Sequence, residues 1–177
     1  MTGAKFRRIS VPLALWAIAL AVPQPALADG DEDRVIVHLS GYQEVPTLST
    51  SGEGRFKARI DDRRQTVSYE LSYKDLESDV TQAHIHFSAR SLNGPIVVFL
   101  CTNLGNGPAG TQACPPAPAT VRGTISAADI LAGAVAQGLE AGNFDEFADA
   151  LRAGATYANV HTTGRPGGEV RGQIHVH

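Results

Sequence analysis

Apolar and polar residues alternate along most of the chain after residue 33. Alternate residues of a β-strand lie on opposite faces of a sheet, so this alternation predicts a series of short strands. The predicted strands cover residues 34–40, 55–60, 65–73, 80–87, 96–100, 121–126, 156–162 and 169–177. Short strands separated by polar turns predict an all-β antiparallel sandwich or barrel, Greek-key in character.

The strand pattern is interrupted at about residues 127–152. Ser126 is suited to begin a helix over 127–139, and Asn143 is suited to begin a second helix over 144–152. The second segment has an apolar stripe at helical spacing. Because so short a stretch cannot bury a core of its own, we expect a helical insertion within a single β domain.

The first 28 residues have the features of a secretory signal peptide. Three basic residues precede an apolar run over 11–22, and a small-x-small cleavage site, Ala26-Leu27-Ala28, follows it. The apolar run is too short to span a membrane. We therefore expect a charged leader over 29–33 and one domain over 34–177. The mature protein is expected to be exported, either to a periplasm or to the extracellular space.

Charge narrows the classes of partner. Without its first 28 residues, the chain has 12 Lys and Arg against 18 Asp and Glu, a net charge of about −6. This acidic balance argues against a nucleic-acid partner, because nucleic-acid binding depends on basic surface. No later segment is long and apolar enough to be predicted as a membrane span.

The two cysteines, Cys101 and Cys114, flank a loop rich in Gly and Pro. In an exported protein such a pair is most simply a disulfide, which would fix this loop. The alternative is that both thiolates bind a metal ion.

Histidines are the most informative residues. His84 and His86 form a His-x-His pair on one predicted strand, His161 lies on a second, and His175 and His177 lie on the last. A His-x-His pair on a strand places both imidazoles on one face. Imidazole is a common ligand of copper and zinc, and copper has the higher intrinsic affinity. We therefore expect a copper site, with zinc as the alternative, formed by His84, His86 and His161 with His175 as a fourth ligand.

Other polar residues have simpler interpretations. His38 belongs to no pair and is interpreted as a surface residue. For His175 and His177, the alternative to a fourth metal ligand is a frayed chain end. Glu44 and Glu169 are interpreted as exposed acids, with orientation of the imidazoles as the alternative. The sequence contains no order of residues typical of a catalytic triad and no phosphate-binding loop, so a binding protein is favoured over an enzyme.

Three segments together resemble the CHRD domain, a family named from chordin that also occurs in exported bacterial proteins. They are Leu39-Ser40-Gly41-Tyr42-Gln43-Glu44-Val45-Pro46, Ala83-His84-Ile85-His86-Phe87, and the ending from Tyr157 through Pro166-Gly167-Gly168-Glu169 to Gln173. The resemblance implies an immunoglobulin-like β-sandwich or barrel similar to Cu/Zn superoxide dismutase. In that enzyme a His-x-His strand and a late Val-His supply copper ligands, and His84, His86 and His161 match these positions.

The resemblance leaves three hypotheses of different class. The first is an exported copper-binding protein that stores, buffers or delivers the metal. The second is an extracellular protein-interaction or adhesion module, with an unidentified protein partner and no metal. The third is a dismutase-like redox enzyme, which is disfavoured because residues 87–155 contain no histidine and the zinc ligands have no counterpart.

Overall fold

The computed structural model describes Met1 and residues 33–176, and this part of the chain forms eight β-strands and one α-helix. They are β1 (Arg34–Ser40), β2 (Glu53–Asp61), β3 (Thr66–Lys74), β4 (Val80–Phe87), β5 (Ile96–Thr102), β6 (Ala119–Ile125), α1 (Phe144–Arg152), β7 (Thr156–Thr162) and β8 (Val170–Gln173). Each predicted strand is present. The last is shorter than expected, and Val176 beyond it forms an isolated bridge with Val35. The predicted signal peptide lies outside the described residues, and the domain boundaries stay predictions.

The eight strands form one antiparallel sheet that curls into a nearly closed barrel, so the predicted all-β fold is confirmed. The order around the barrel is β5-β4-β7-β8-β1-β2-β3-β6. β6 returns to pair with β3, and β7 returns to pair with β4. These long crossovers are those of a Greek key.

The barrel interior is filled by the apolar positions of the alternating strands. Val35, Phe56, Leu71 and Ile85 come from four different strands and are almost completely buried. The amphipathic helix α1 contributes its predicted apolar stripe to the same core: Phe144, Phe147, Ala148 and Leu151. Burial of these side chains, each worth about 1.5–3 kcal/mol, is the main force that stabilises the barrel.

The helical insertion differs from the prediction in its first half. The predicted helix over 127–139 is wrong: the structure has two short 3-10 segments, Ala127–Asp129 and Ala132–Gln137. Ala134 has non-helical backbone angles, and Gly138 ends the second segment with a left-handed conformation. Two glycines within six residues also disfavour a continuous helix. The second predicted helix is confirmed as α1, and the Asn143 side chain accepts a hydrogen bond from the Glu146 N–H.

The two edge strands, β5 and β6, face each other across the remaining gap in the barrel. The Tyr69 hydroxyl of β3 donates to the Leu100 carbonyl of β5 at 3.0 Å, and the Gln112 side-chain amide lies 3.1 Å from the carbonyl oxygens of Leu100 and Arg122. A disulfide joins Cys101 of β5 to Cys114, as predicted. The loop after β5 is therefore fixed over the gap, which protects otherwise unpaired strand edges.

Candidate metal centre

Three histidines lie together on the outer face of β4 and β7. His84 and His86 occupy alternate positions of β4 and so point to the same side. β7 pairs with β4 in a register that places Gln82 opposite His161, His84 opposite Asn159 and His86 opposite Tyr157. His161 is therefore the diagonal neighbour of His84 across the two strands. The pairing of two strands distant in sequence brings together the three histidines that the sequence analysis selected.

The ligand nitrogens of the three rings lie close enough to share one ion. One nitrogen from each of His84, His86 and His161 falls within 4.8 Å of the other two. The Nδ1 of His84 and the Nε2 of His161 are 3.2 Å apart. Ligands about 2.0–2.1 Å from a tetrahedral metal lie roughly 3.3 Å from one another, so this separation suits two nitrogens of one site.

Two backbone carbonyls fix the orientation of two rings. The Nδ1–H of His86 donates to the Gly94 carbonyl at 2.9 Å, and the Nδ1–H of His161 donates to the Pro166 carbonyl at 3.0 Å. A carbonyl only accepts, so the proton of each neutral ring is on Nδ1 and Nε2 carries the lone pair that a metal would bind. This is the arrangement by which proteins orient metal-binding imidazoles.

Gly94 reaches this position because it has no side chain. A Cβ there would lie 2.1 Å from the Phe87 carbonyl oxygen, so only glycine fits where the turn after β4 folds back on the strand. The turn was predicted from Asn93-Gly94-Pro95, but its contact with His86 was not. A Gly-Pro turn shortly after a His-x-His strand was the available signal.

The histidines are buried, contrary to the solvent exposure that their polar strand positions suggest. Exposure is 0% for His84, 7% for His86 and 6% for His161. Burial lowers the pKa of His84 to about 2, with the neighbouring His161 and His86 adding to the effect. It lowers the pKa of His86 to about 4 and also lowers the pKa of His161. All three imidazoles are therefore neutral at pH 7, the form that binds metal.

Buried nitrogen atoms without a partner mark the site. The Nε2 atoms of His84 and His86 are buried and have no hydrogen-bond partner among the described residues. Such a group costs about 1–3 kcal/mol and calls for an explanation. For His86 the unpartnered atom is the one left free by the bond to Gly94, so a bound metal ion would satisfy it.

Aromatic rings and an arginine pack against the site. The His86 and Tyr157 rings are stacked with centroids 4.7 Å apart, and the Arg171 guanidinium lies 3.7 Å from the centroid of the Tyr157 ring. The Phe99 ring of β5 meets His84 edge-on at 4.4 Å. Sequence reasoning missed the role of Phe99. Its signal was the unbroken apolar run of β5, which predicts a strand buried on both faces.

A buried layer of polar side chains extends the site across β7 and β8. Asn159, Arg171 and Gln173 all project from the outer face yet are almost completely buried. The Arg171 guanidinium donates to the Asn93 side chain at 3.2 Å and to the Leu92 carbonyl at 3.0 Å. The loop after β4 therefore covers part of this face of the barrel.

Glu44 and Glu169 are buried, so their interpretation as exposed acids is wrong. Glu44 is 5% exposed and accepts a hydrogen bond from Asn159 at 3.4 Å. Burial raises the pKa of Glu44 to about 7, against the opposing effect of Arg171. Glu169 accepts from the Thr50 hydroxyl, the Glu77 N–H and the Thr162 hydroxyl at 2.7–2.9 Å. Neither carboxylate contacts the three imidazoles: Glu44 lies beside Arg171, and Glu169 ties three segments together.

The remaining histidines lie apart from the three-histidine cluster. His175 does not join it, and its Nε2 is 2.8 Å from the Arg90 guanidinium. His38 is exposed on β1, in agreement with its interpretation as a surface residue. His177 lies outside the described residues. The structure therefore offers three imidazoles from the predicted set of four.

Comparison with known proteins gives one match. The family model described as the CHRD domain matches residues 35–174. No curated protein and no solved structure gives a significant match to the chain. Within the described residues, no helix is long and apolar enough to cross a membrane. The family match begins at Val35, the second residue of β1, and includes the rest of β1, all of β2 to β8 and the three clustered histidines. The chain therefore belongs to the CHRD domain family.

Proposed function

We propose that this protein binds one copper ion through His84, His86 and His161 and holds it for storage, buffering or delivery. The observation that carries the proposal is the convergence of three buried, neutral imidazoles whose ligand nitrogens lie within 4.8 Å of one another. A purely structural histidine normally has its ring nitrogens satisfied by the protein. Here the buried Nε2 of His86, the nitrogen left free by the bond to Gly94, has no partner in the described chain.

Two of the rings are oriented as ligands before any metal arrives. The Gly94 and Pro166 carbonyls hold the protons of His86 and His161 on Nδ1 and leave Nε2 available. In the metal-free protein His84 donates from Nδ1 to the Nε2 of His161. If the metal binds His84 at Nδ1, the proton of that ring moves to Nε2. One ring then changes tautomer, and all three rings stay neutral.

The donor set favours copper over zinc. Imidazole nitrogen suits both ions, and copper has the higher intrinsic affinity for such sites. Structural zinc sites usually include thiolate ligands, although three histidines also hold zinc in some catalytic sites. The two cysteines form a disulfide, and no carboxylate of the described residues joins the cluster. A site of three neutral imidazoles in an exported CHRD protein therefore supports copper as the cargo.

Export, a bacterial source and a fold relationship to Cu/Zn superoxide dismutase are further parts of this proposal. CHRD domains occur in secreted proteins, and a disulfide between Cys101 and Cys114 suits an oxidising compartment. The features of residues 1–28 support removal of a signal peptide and release into the periplasm or outside the cell.

Metal titration of the purified mature protein tests the proposal. We expect one equivalent of Cu(II) to bind, with spectroscopic evidence of nitrogen ligands, and to displace Zn(II) from the same site. The His84→Gln/His86→Gln double variant should lose this binding by at least about a hundredfold, because removal of one supporting group alone typically costs 10–100-fold. His38→Gln is the matched control and should bind as the parent does. A double variant that keeps the parent's affinity would show that the assignment is wrong.

A further inference from the structure

The outer face of β1, β2, β3 and β6 carries half of the Lys and Arg residues that follow residue 28. We call it the basic face. It presents six basic residues, Arg34, Arg55, Lys57, Arg59, Lys74 and Arg122, and three acidic residues, Glu53, Asp61 and Glu70. The mature chain as a whole has an excess of about six acidic residues. The positive charge is therefore concentrated on one side of an acidic protein.

The basic residues are arranged in a line with like charges adjacent. Arg55, Lys57 and Arg59 occupy successive outward positions of β2, at steps of about 7 Å. Arg34 of β1 lies directly opposite Arg59 in the sheet. Like charges directly opposite one another destabilise an antiparallel pair.

Ion pairs neutralise only part of the basic face. Lys57 and Arg122 share Glu70 at 2.9 and 2.6 Å, and Lys74 pairs with Glu53. Arg34 and Arg55 are exposed and form no ion pair with any described residue. These two guanidinium groups are available to an anion from outside.

The surface beside the basic residues offers hydroxyl groups that suit a sugar chain. Two neighbouring depressions, of about 420 and 630 Å³, follow the strands: one contains Arg34 and Arg59, the other Arg55. Hydroxyl side chains line both: Ser68 of β3 lies in the first, and Ser72 of β3 and Thr120 of β6 lie in the second. Ile36 is 46% exposed in the first depression and offers an apolar contact to a sugar ring.

The basic face lies on the opposite side of the barrel from the candidate metal centre. In the order of eight strands, β2 is four positions from β4, and β3 is four positions from β7. Four positions correspond to half a turn of the nearly closed barrel. Charges separated by much more than the Debye length of about 8 Å are screened at physiological salt. Acidic residues on the far side therefore do little to weaken attraction at the basic face.

We propose that the basic face binds a linear acidic polysaccharide, with its carboxylate or sulfate groups along the line from Arg55 to Arg59. Arg34 flanks this line, and the hydroxyls of β3 and β6 bind sugar hydroxyls. The line of successive basic positions along β2 suits an extended, charged chain. Single-stranded nucleic acid usually needs aromatic rings on which its bases stack, and the tyrosines of β3 point inward. A bound polysaccharide would leave the metal centre facing away from it.

Binding of the mature protein to immobilised polygalacturonate and heparin tests this proposal. We expect binding at low salt that weakens steadily as salt is raised, and none to uncharged dextran. The Arg34→Gln/Arg55→Gln double variant should bind about tenfold more weakly, since two exposed charge contacts are lost. Arg90→Gln/Arg165→Gln removes the same charge from loops outside the basic face and is the matched control. Copper binding should be unchanged in both.

Several outcomes would overturn the proposal. The first is the absence of binding to either acidic polysaccharide at low salt. The second is equal weakening by the two double variants, which would indicate a nonspecific response to net charge. The third is equal or tighter binding to phosphatidylglycerol vesicles or single-stranded DNA, which would replace the polysaccharide with another class of partner. Retained folding of each variant is established from its unfolding curve.

Discussion

Acid should destabilise the metal-free protein through its buried histidines, and Glu44 should oppose the effect. His84 and His86 have pKa values lowered by burial to about 2 and about 4. In the unfolded chain both titrate near 6.5. As the pH falls below 6.5 the unfolded state therefore binds protons that the folded state does not. Folding stability that is complete above pH 6.5 is lost as the pH falls.

The size of this loss of folding stability follows from the difference between the folded and unfolded pKa values of each histidine. Each unit of pH between the folded and unfolded pKa values costs about 1.4 kcal/mol per group, so His84 and His86 each cost about 2 kcal/mol at pH 5.0. His161, with its lowered pKa, contributes in the same direction. The two histidines with the lowest pKa values thus destabilise the metal-free fold by about 4 kcal/mol on going from pH 7.5 to pH 5.0.

Glu44 acts in the opposite sense. Burial raises its pKa to about 7, so between pH 7 and its unfolded value near 4.5 the folded state binds the proton more tightly. This stabilises the fold as the pH falls, by about 3 kcal/mol at pH 5.0. The wild-type protein should therefore lose much less stability than the histidines alone predict. Glu44→Gln removes the compensation and should expose the full loss of about 4 kcal/mol.

Chemical denaturation at pH 7.5 and pH 5.0, with a chelator present, measures this difference. The His84→Gln/Glu44→Gln double variant should recover about half of the loss seen in Glu44→Gln, because His84 alone accounts for about 2 of the roughly 4 kcal/mol. His38→Gln in the Glu44→Gln background is the control and should recover none. If Glu44→Gln is equally stable at the two pH values, the buried, neutral state of the histidines is refuted.

Two further predictions concern the segments that hold the barrel together. Glu169→Ala leaves the Thr50 and Thr162 hydroxyls and the Glu77 N–H without their acceptor. It should lower the free energy of unfolding by about 4 kcal/mol. A loss below about 1 kcal/mol would contradict the role inferred for this carboxylate. Replacement of Cys101 and Cys114 by Ser should lower it by about 3 kcal/mol in denaturation curves, since the disulfide closes a short loop. Thiol labelling of the denatured, unreduced protein should find no free thiol, and two free thiols would refute the disulfide.

Local pattern was sufficient to predict the strands and which residues point towards the core. The alternation in β1, β4 and β7 predicted their bounds as the structure has them, because period two is a property of a single strand. The helix predicted over 127–139 was wrong, because this segment has no sustained helical period and its glycines divide it into 3-10 turns. The choice of His84, His86 and His161 also came from local pattern together with family resemblance.

Burial of the polar face was decided only by tertiary structure. A polar position on a strand predicts a side chain that points away from the core. From the sequence alone, such a side chain is expected to be exposed to solvent. In the fold, loops distant in sequence cover that face, so His84, Glu44 and Arg171 are buried and their partners come from other segments. Residues on one strand determine their own periodicity. The contacts, the low dielectric and the resulting pKa values depend on which distant segments pack over them, and that is a property of the whole barrel.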